Sequence, residues 1–178
     1  MSITETPTLT GTWRIDPVHS SVGFEVAYMA GTFRGEFHDV AGELVVEGEH
    51  AHLEGSAKVA SVDVKDEDLN THLQSPDFFD AERHPELLFA AENVDLSGSE
   101  VSARGELTIK GVTQPVEVTG TATAPLVDPW GNDRIGLQLT AAVDRTNFGV
   151  NWNTPLPSGE QALADQVRIV TDLQFVKA

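Results

Sequence analysis

Cysteine is absent from all 178 residues, which excludes disulfides, thiolate metal sites and cysteine nucleophiles. Positive charge is scarce. Eleven Lys and Arg stand against 28 Asp and Glu, a formal charge of −17 whose field repels polyanions. Nucleic acid is therefore not expected as a partner, and an anionic membrane surface is disfavoured. No apolar run approaches the ~18 residues of a transmembrane helix. The opening stretch MSITETPTLTGTW carries neither a basic cluster nor an apolar run before Trp13, so no signal peptide is read there and a cytoplasmic location is expected. Missing too are the H-E-x-x-H helix, the nucleophile elbow, the P-loop and the dinucleotide fingerprint, so hydrolase, kinase and dehydrogenase readings have no positive support.

What is present is alternation. In Val101–Ile109, Val101, Ala103, Gly105, Leu107 and Ile109 alternate with Ser102, Arg104, Glu106 and Thr108, the period of two that marks a strand wet on one face. Val116, Val118, Gly120, Ala122 and Ala124 repeat the pattern with Glu117, Thr119, Thr121 and Thr123 between them. The linking Gly111-Val-Thr-Gln-Pro115 holds Gly and Pro punctuation, so the stretch reads as an antiparallel hairpin. Small residues on its inner face, together with Gly35, Gly55 and Ala141 elsewhere, suggest unfilled volume.

The rest of the chain follows suit. Residues 1–10 read as a loose leader and 11–178 as one domain. Gly11–Asp16 is short and strand-like. Val22, Phe24, Val26 and Tyr28 share a face of a strand over Ser20–Tyr28, and Phe33, Gly35 and Phe37 share a face of the returning strand after Ala30-Gly31. Gly42–Glu47, His52–Val64, Leu87–Leu96, Arg134–Asp144 and Gln166–Val176 read as further strands. Between Val64 and Pro85 the period changes. Asp66 or Asp68 can cap a helix placing Leu69 and Leu73 on one face, Ser75-Pro76 ends it, and a second short helical turn is expected to carry Phe78 and Phe79. The expected fold is all-β, with about eight to ten strands and a short helical cap; alternation alone leaves a barrel with a lumen and a filled sandwich both open.

The six histidines lie among turn residues with no ligand spacing, so solvated histidines outweigh a metal site; His19, after Asp16-Pro17, is a candidate for orienting a loop. Carboxylate pairs such as Asp66 with Asp68 sit in helix-cap contexts, where a structural role is sufficient. Several aromatics occupy loops and the helical cap, where a barrel mouth would be.

Six segments in order carry a resemblance over Trp13 to Lys177: Ile15-Asp-Pro-Val-His-Ser-Ser-Val-Gly-Phe24, Arg34-Gly-Glu-Phe37, His72-Leu-Gln-Ser-Pro-Asp-Phe-Phe-Asp80, Gly105-Glu-Leu-Thr-Ile-Lys-Gly-Val-Thr113, Asp128-Pro-Trp-Gly131, and Asn147-Phe-Gly149 with Trp152. The chain resembles the YceI-like polyisoprenoid-binding proteins. That resemblance implies a single extended, antiparallel, lipocalin-like barrel around an apolar pore, non-enzymatic binding of a long-chain isoprenoid or similar amphiphilic lipid, and a homodimer. It implies no cofactor beyond a bound isoprenoid or quinone-like lipid. Members often carry a signal peptide, and a His where this chain has Tyr28, a position that would meet the ligand's head. Placed on this chain, the pore walls are Val22, Phe24, Val26, Phe33, Phe37, Leu107, Ile109, Leu137 and Leu139, and Leu69, Leu73, Phe78, Phe79, Phe148 and Trp152 close the ends. The competing readings are an enzyme using Tyr28, His38 and Asn147 in the same pocket, and a stress-related interaction module with a filled core.

Overall fold

A computed structural model describes residues 9–48, 50–96 and 98–178. In chain order the elements are β1 (Gly11–Ile15), β2 (Ser21–Tyr28), β3 (Gly31–Phe37), β4 (Val40–Glu47), β5 (His50–Lys58), β6 (Val62–Asp63), α1 (Glu67–Gln74), β7 (Glu86–Ala91), β8 (Val94–Asp95), β9 (Glu100–Ile109), β10 (Val112–Val127), β11 (Asp133–Asp144) and β12 (Leu163–Lys177). Short 3-10 turns follow β5 at Val59–Ser61 and β11 at Arg145–Phe148. The leader expected over residues 1–10 falls outside the described residues except for its last two, of which Leu9 packs on the core and accepts a hydrogen bond from Trp13 Nε1 at 2.9 Å.

Eight strands close an antiparallel barrel in the order β1, β4, β5, β7, β9, β10, β11, β12, with β12 pairing back onto β1. Closure leaves no free edge around the ring, which is how an all-β domain this small avoids edge-to-edge association. The long β12 serves two neighbours. Near its C-terminus it pairs with β1, Ile15 opposite Phe175, and further back it pairs with β2, Phe24 opposite Ile169. The β2–β3 hairpin thus continues the wall that β1 and β4 begin, and Asp16–Ser20 is the break between the two levels.

Several boundaries differ from the sequence reading. The β9–β10 connection is only Lys110-Gly111, both at positive φ (53° and 76°), a two-residue turn whose twist matches the flanking strands. Pro115 is therefore in a strand, opposite Glu106, not in a loop. The strand expected over His52–Val64 breaks at Val59, a fully buried residue whose N–H donates to Pro85 O. Phe78 and Phe79 lie in turns, and α1 is the one α-helix among the described residues. Its start is as expected: Asp66 accepts from the N–H groups of Asp68 and Leu69, satisfying two of the donors a helix N-terminus leaves free.

The interior divides along the barrel axis. Around β1 the barrel is filled. Trp13, Leu44, Ile135, Leu137 and Phe175 are each 3% exposed or less and pack in one cluster. Trp13 is pinned from two sides, by the hydrogen bond to Leu9 and by Lys177 Nζ, 5.6 Å from its ring centre. Toward α1 the packing opens.

Candidate functional site

A cavity of about 250 Å³ occupies the α1 half of the barrel. Alternation brings its walls together: every second residue of β2, β3, β9, β11 and β12 turns inward. Of the residues expected at the pore, Val22, Phe24, Val26, Tyr28, Phe33, Phe37, Leu69, Leu73, Phe78, Phe79, Leu107, Ile109, Leu139 and Trp152 line it. Leu137 and Phe148 do not. Both are buried in the packed cluster, at 1% and 2% exposure, away from the cavity surface. For Leu137 the reason is height: it faces inward as Leu139 does, but one pleat nearer the filled end. Leu53, Phe89, Val116, Val118, Ile169 and Leu173 line the cavity and were not singled out by sequence, although Val116, Val118, Ile169 and Leu173 lie on faces already read as buried.

Two aromatic groups shape this space. Phe24 touches Phe33, Phe37 and Phe79 with ring centres 6.0, 6.0 and 6.2 Å away, forming one wall. At the mouth, the His72 ring stands edge-on to Phe78 and Trp152 at 4.9 and 5.1 Å, and its Nε2 lies 3.0 Å from Asp77 Oδ2. Leu69, 41% exposed, sits on the solvent side of this rim. Lys110 on the β9–β10 turn donates to the carbonyls of Pro76 and Gly149, tying the segment after α1 to the barrel wall.

Small inward residues contribute less void than their size suggests. Phe24 covers Gly35 and Phe89 covers Gly105, so these glycines admit aromatic rings. Gly55 differs, facing open space with only Ala41 O nearby. Ala124 is exposed on the part of β10 that runs past the ring.

Among the described residues Arg145 is the one guanidinium on the cavity lining, and sequence reasoning missed it. It is 6% exposed, and its donors go to Ala164 O, Val150 O and Trp152 O at 2.8 Å and to Leu163 O at 3.3 Å, with Asp165 at 3.5 Å. Burial pulls its pKa below the ordinary value, against the charges of Asp165 and Asp144. Four carbonyls thus satisfy the cation and leave the lumen itself apolar. No buried side-chain N or O among the described residues lacks a partner.

The polar suspects are not assembled. Tyr28 lines the cavity, His38 is exposed and paired with Asp63 at 2.9 Å, and Asn147 is exposed. Among the described residues no group of three His, Asp or Glu could hold a metal ion. His19 does brace its loop, with Nδ1 2.7 Å from Asp16 Oδ2.

The YceI-like domain family model matches residues 13–175, nearly the whole chain. The chain belongs to the YceI-like family. Curated relatives of this YceI-like chain include a UPF0312 protein of Pseudomonas fluorescens, 30% identical over 74% of this chain and 71% of its own. A UPF0312 protein of Staphylococcus aureus is 29% identical over 90% of this chain and 94% of its own. Among solved structures, Burkholderia cenocepacia BcnA superposes with a TM-score of 0.77 at 22% identity, covering 90% of this chain and 98% of that one. A polyisoprenoid binding domain from Saccharophagus degradans, implicated in plant cell wall breakdown, gives a TM-score of 0.70 at 11% identity over 93% and 98%. These two likenesses establish the fold.

Proposed function

We propose that this YceI-like barrel carries or stores an isoprenoid or similar amphiphilic lipid, holding the chain in the cavity and performing no chemistry on it. The observation that carries the reading is an aliphatic and aromatic cavity, lined on the α1 side by Leu69, Phe78 and Trp152, whose one guanidinium among the described residues is saturated by backbone carbonyls. Only an apolar chain gains from entering such a space, and a polar head is better left at the rim beside Tyr28 and His72. The likeness to a polyisoprenoid binding domain supports the same ligand class.

The energy is sufficient. Burial gives ~0.8 kcal/mol per methylene, so about ten groups supply ~8 kcal/mol, nominally micromolar affinity before ordering costs. Native mass spectrometry of protein purified without detergent tests the proposal. A stoichiometric long-chain or isoprenoid adduct is expected; a clean apo mass that also refuses added isoprenoids would point instead to a filled-core interaction module.

A further inference from the structure

The cavity ends inside the packed cluster, and the last residues to line it are separated from the rest by cross-strand pairing. Leu53, Leu44 on β4 and Ala91 on β7 are cross-strand partners in one packed cluster, yet of the three only Leu53 also lines the cavity. Leu173 lines the cavity, while its partner Leu137 on β11 does not. Leu139 and Leu137, two residues apart on one strand, stand on opposite sides of the same floor. Val118 completes it from β10. Beneath the floor lies Trp13, which cannot swing aside without breaking its bond to Leu9 O and leaving Lys177.

The geometry points to Leu53, Val118 and Leu173 as a length stop that limits the buried part of the ligand. This rests on the lipid-binding reading above and adds to it how much chain is taken in. A cavity of ~150 Å³ accommodates benzene, so by volume the 250 Å³ here corresponds to about ten carbon atoms, two isoprene units. A longer isoprenoid binds with the two units of its tail end inside and the remainder, head included, beyond the rim, where Leu69 and Met29 are exposed. Selectivity by length therefore operates only up to the stop.

Displacement of a fluorescent alkyl probe from the delipidated full chain, using isopentenol, geraniol, farnesol and geranylgeraniol, tests this. Each buried methylene contributes roughly fourfold in affinity, so the step from one to two isoprene units is expected to exceed about tenfold. From geraniol onward the gain is expected to stay within about threefold. Leu53→Ala removes three carbons from the floor, room for part of a third unit, and is expected to raise farnesol over geraniol by more than the roughly threefold of the parent; Val118→Leu raises the floor, so that geraniol already loses affinity, and keeps the idea testable if Leu53→Ala does not fold. Affinity that climbs about tenfold per unit through geranylgeraniol would sink the length stop while leaving lipid binding intact. Failure of all four alcohols to displace the bound probe would overturn isoprenoid binding in the cavity, and the stop with it.

Discussion

The ring of Phe24 lies across Gly35, its register partner on the neighbouring strand: a Cβ on Gly35 would fall 2.6 Å from Phe24 Cζ. The same device recurs where Phe89 covers Gly105 at 2.8 Å. In each case a glycine on one strand lets an aromatic ring lie flat along the wall instead of crossing the lumen.

Substituting Gly35→Ala is expected to push the Phe24 ring toward the cavity. The backbone there has ordinary φ, so the penalty is steric, about 1–3 kcal/mol of overpacking. Thermal unfolding should reveal a lower midpoint, and lipid capacity measured by native mass spectrometry should fall with it. Gly55→Ala is the control, because its Cβ meets nothing closer than Ala41 O at 3.7 Å, and its stability is expected to stay near that of the parent.

How these faces could be read from sequence, and where reading stopped, follows from the period of two. Alternation identified Phe24, Phe33, Phe37, Leu107 and Leu139 as inward, because side chains must alternate across a pleated strand whatever its partners are. It gives no height along the barrel. Leu137 and Leu139 therefore look equivalent, and both belong to the packed cluster, but only Leu139 also lines the cavity. Ring closure was equally invisible, since it depends on β12 reaching β1 across the whole chain. Pro115 misled because proline is usually punctuation, whereas here its missing N–H is tolerated in a strand whose turn is set by Lys110 and Gly111. Arg145 left no periodic mark at all; a lone cation beside Asp144 in an irregular stretch reads as surface until its carbonyl partners are seen.

At the filled end, Arg134 sits between Asp16 and Asp128, with 2.7 Å contacts to each. Burial alone would raise the Asp16 pKa, but hydrogen bonds from Arg134, His19 and the Val18 N–H outweigh it and hold the value to about 2, against an ordinary 3.8. Asp128 is treated likewise: burial opposes, while Arg134 and the backbone N–H groups of Asn132 and Trp130 hold it to about 2. A carboxyl with a depressed folded-state pKa stabilises fully above its unfolded value and loses that contribution as pH falls through the folded one. The urea midpoint should thus be steady from neutral pH to about 5 and drop between about 4 and 2. Arg134→Met should lower the midpoint at neutral pH and flatten the acid limb, because both carboxyls then titrate nearer their ordinary value. An acid limb of unchanged steepness in that variant would show that other carboxylates control it.

Arg145 offers the most direct test of how the rim is held. Its guanidinium gathers carbonyls from two segments, Val150 and Trp152 after the 3-10 turn and Leu163 and Ala164 at the start of β12. Lysine keeps the charge but presents one ammonium in place of a planar fork, so it cannot reach all four acceptors at once. Arg145→Lys leaves at least one buried carbonyl without a donor, at about 1–3 kcal/mol, which chemical denaturation should register. The consequence for binding comes through Trp152: once its carbonyl is released, the ring is no longer fixed against His72 and Phe78, and the rim loosens. Lipid release should then accelerate by more than stability loss alone would explain, which a comparison with Ile135→Ala, a buried residue of the packed cluster that neither lines the cavity nor pairs with its floor, separates. That variant costs about 2–5 kcal/mol in the packed end but leaves the rim intact, so its release rate is expected to match the parent while its unfolding midpoint falls further. Equal release rates in the two variants would mean that Arg145 supports the fold without governing the mouth.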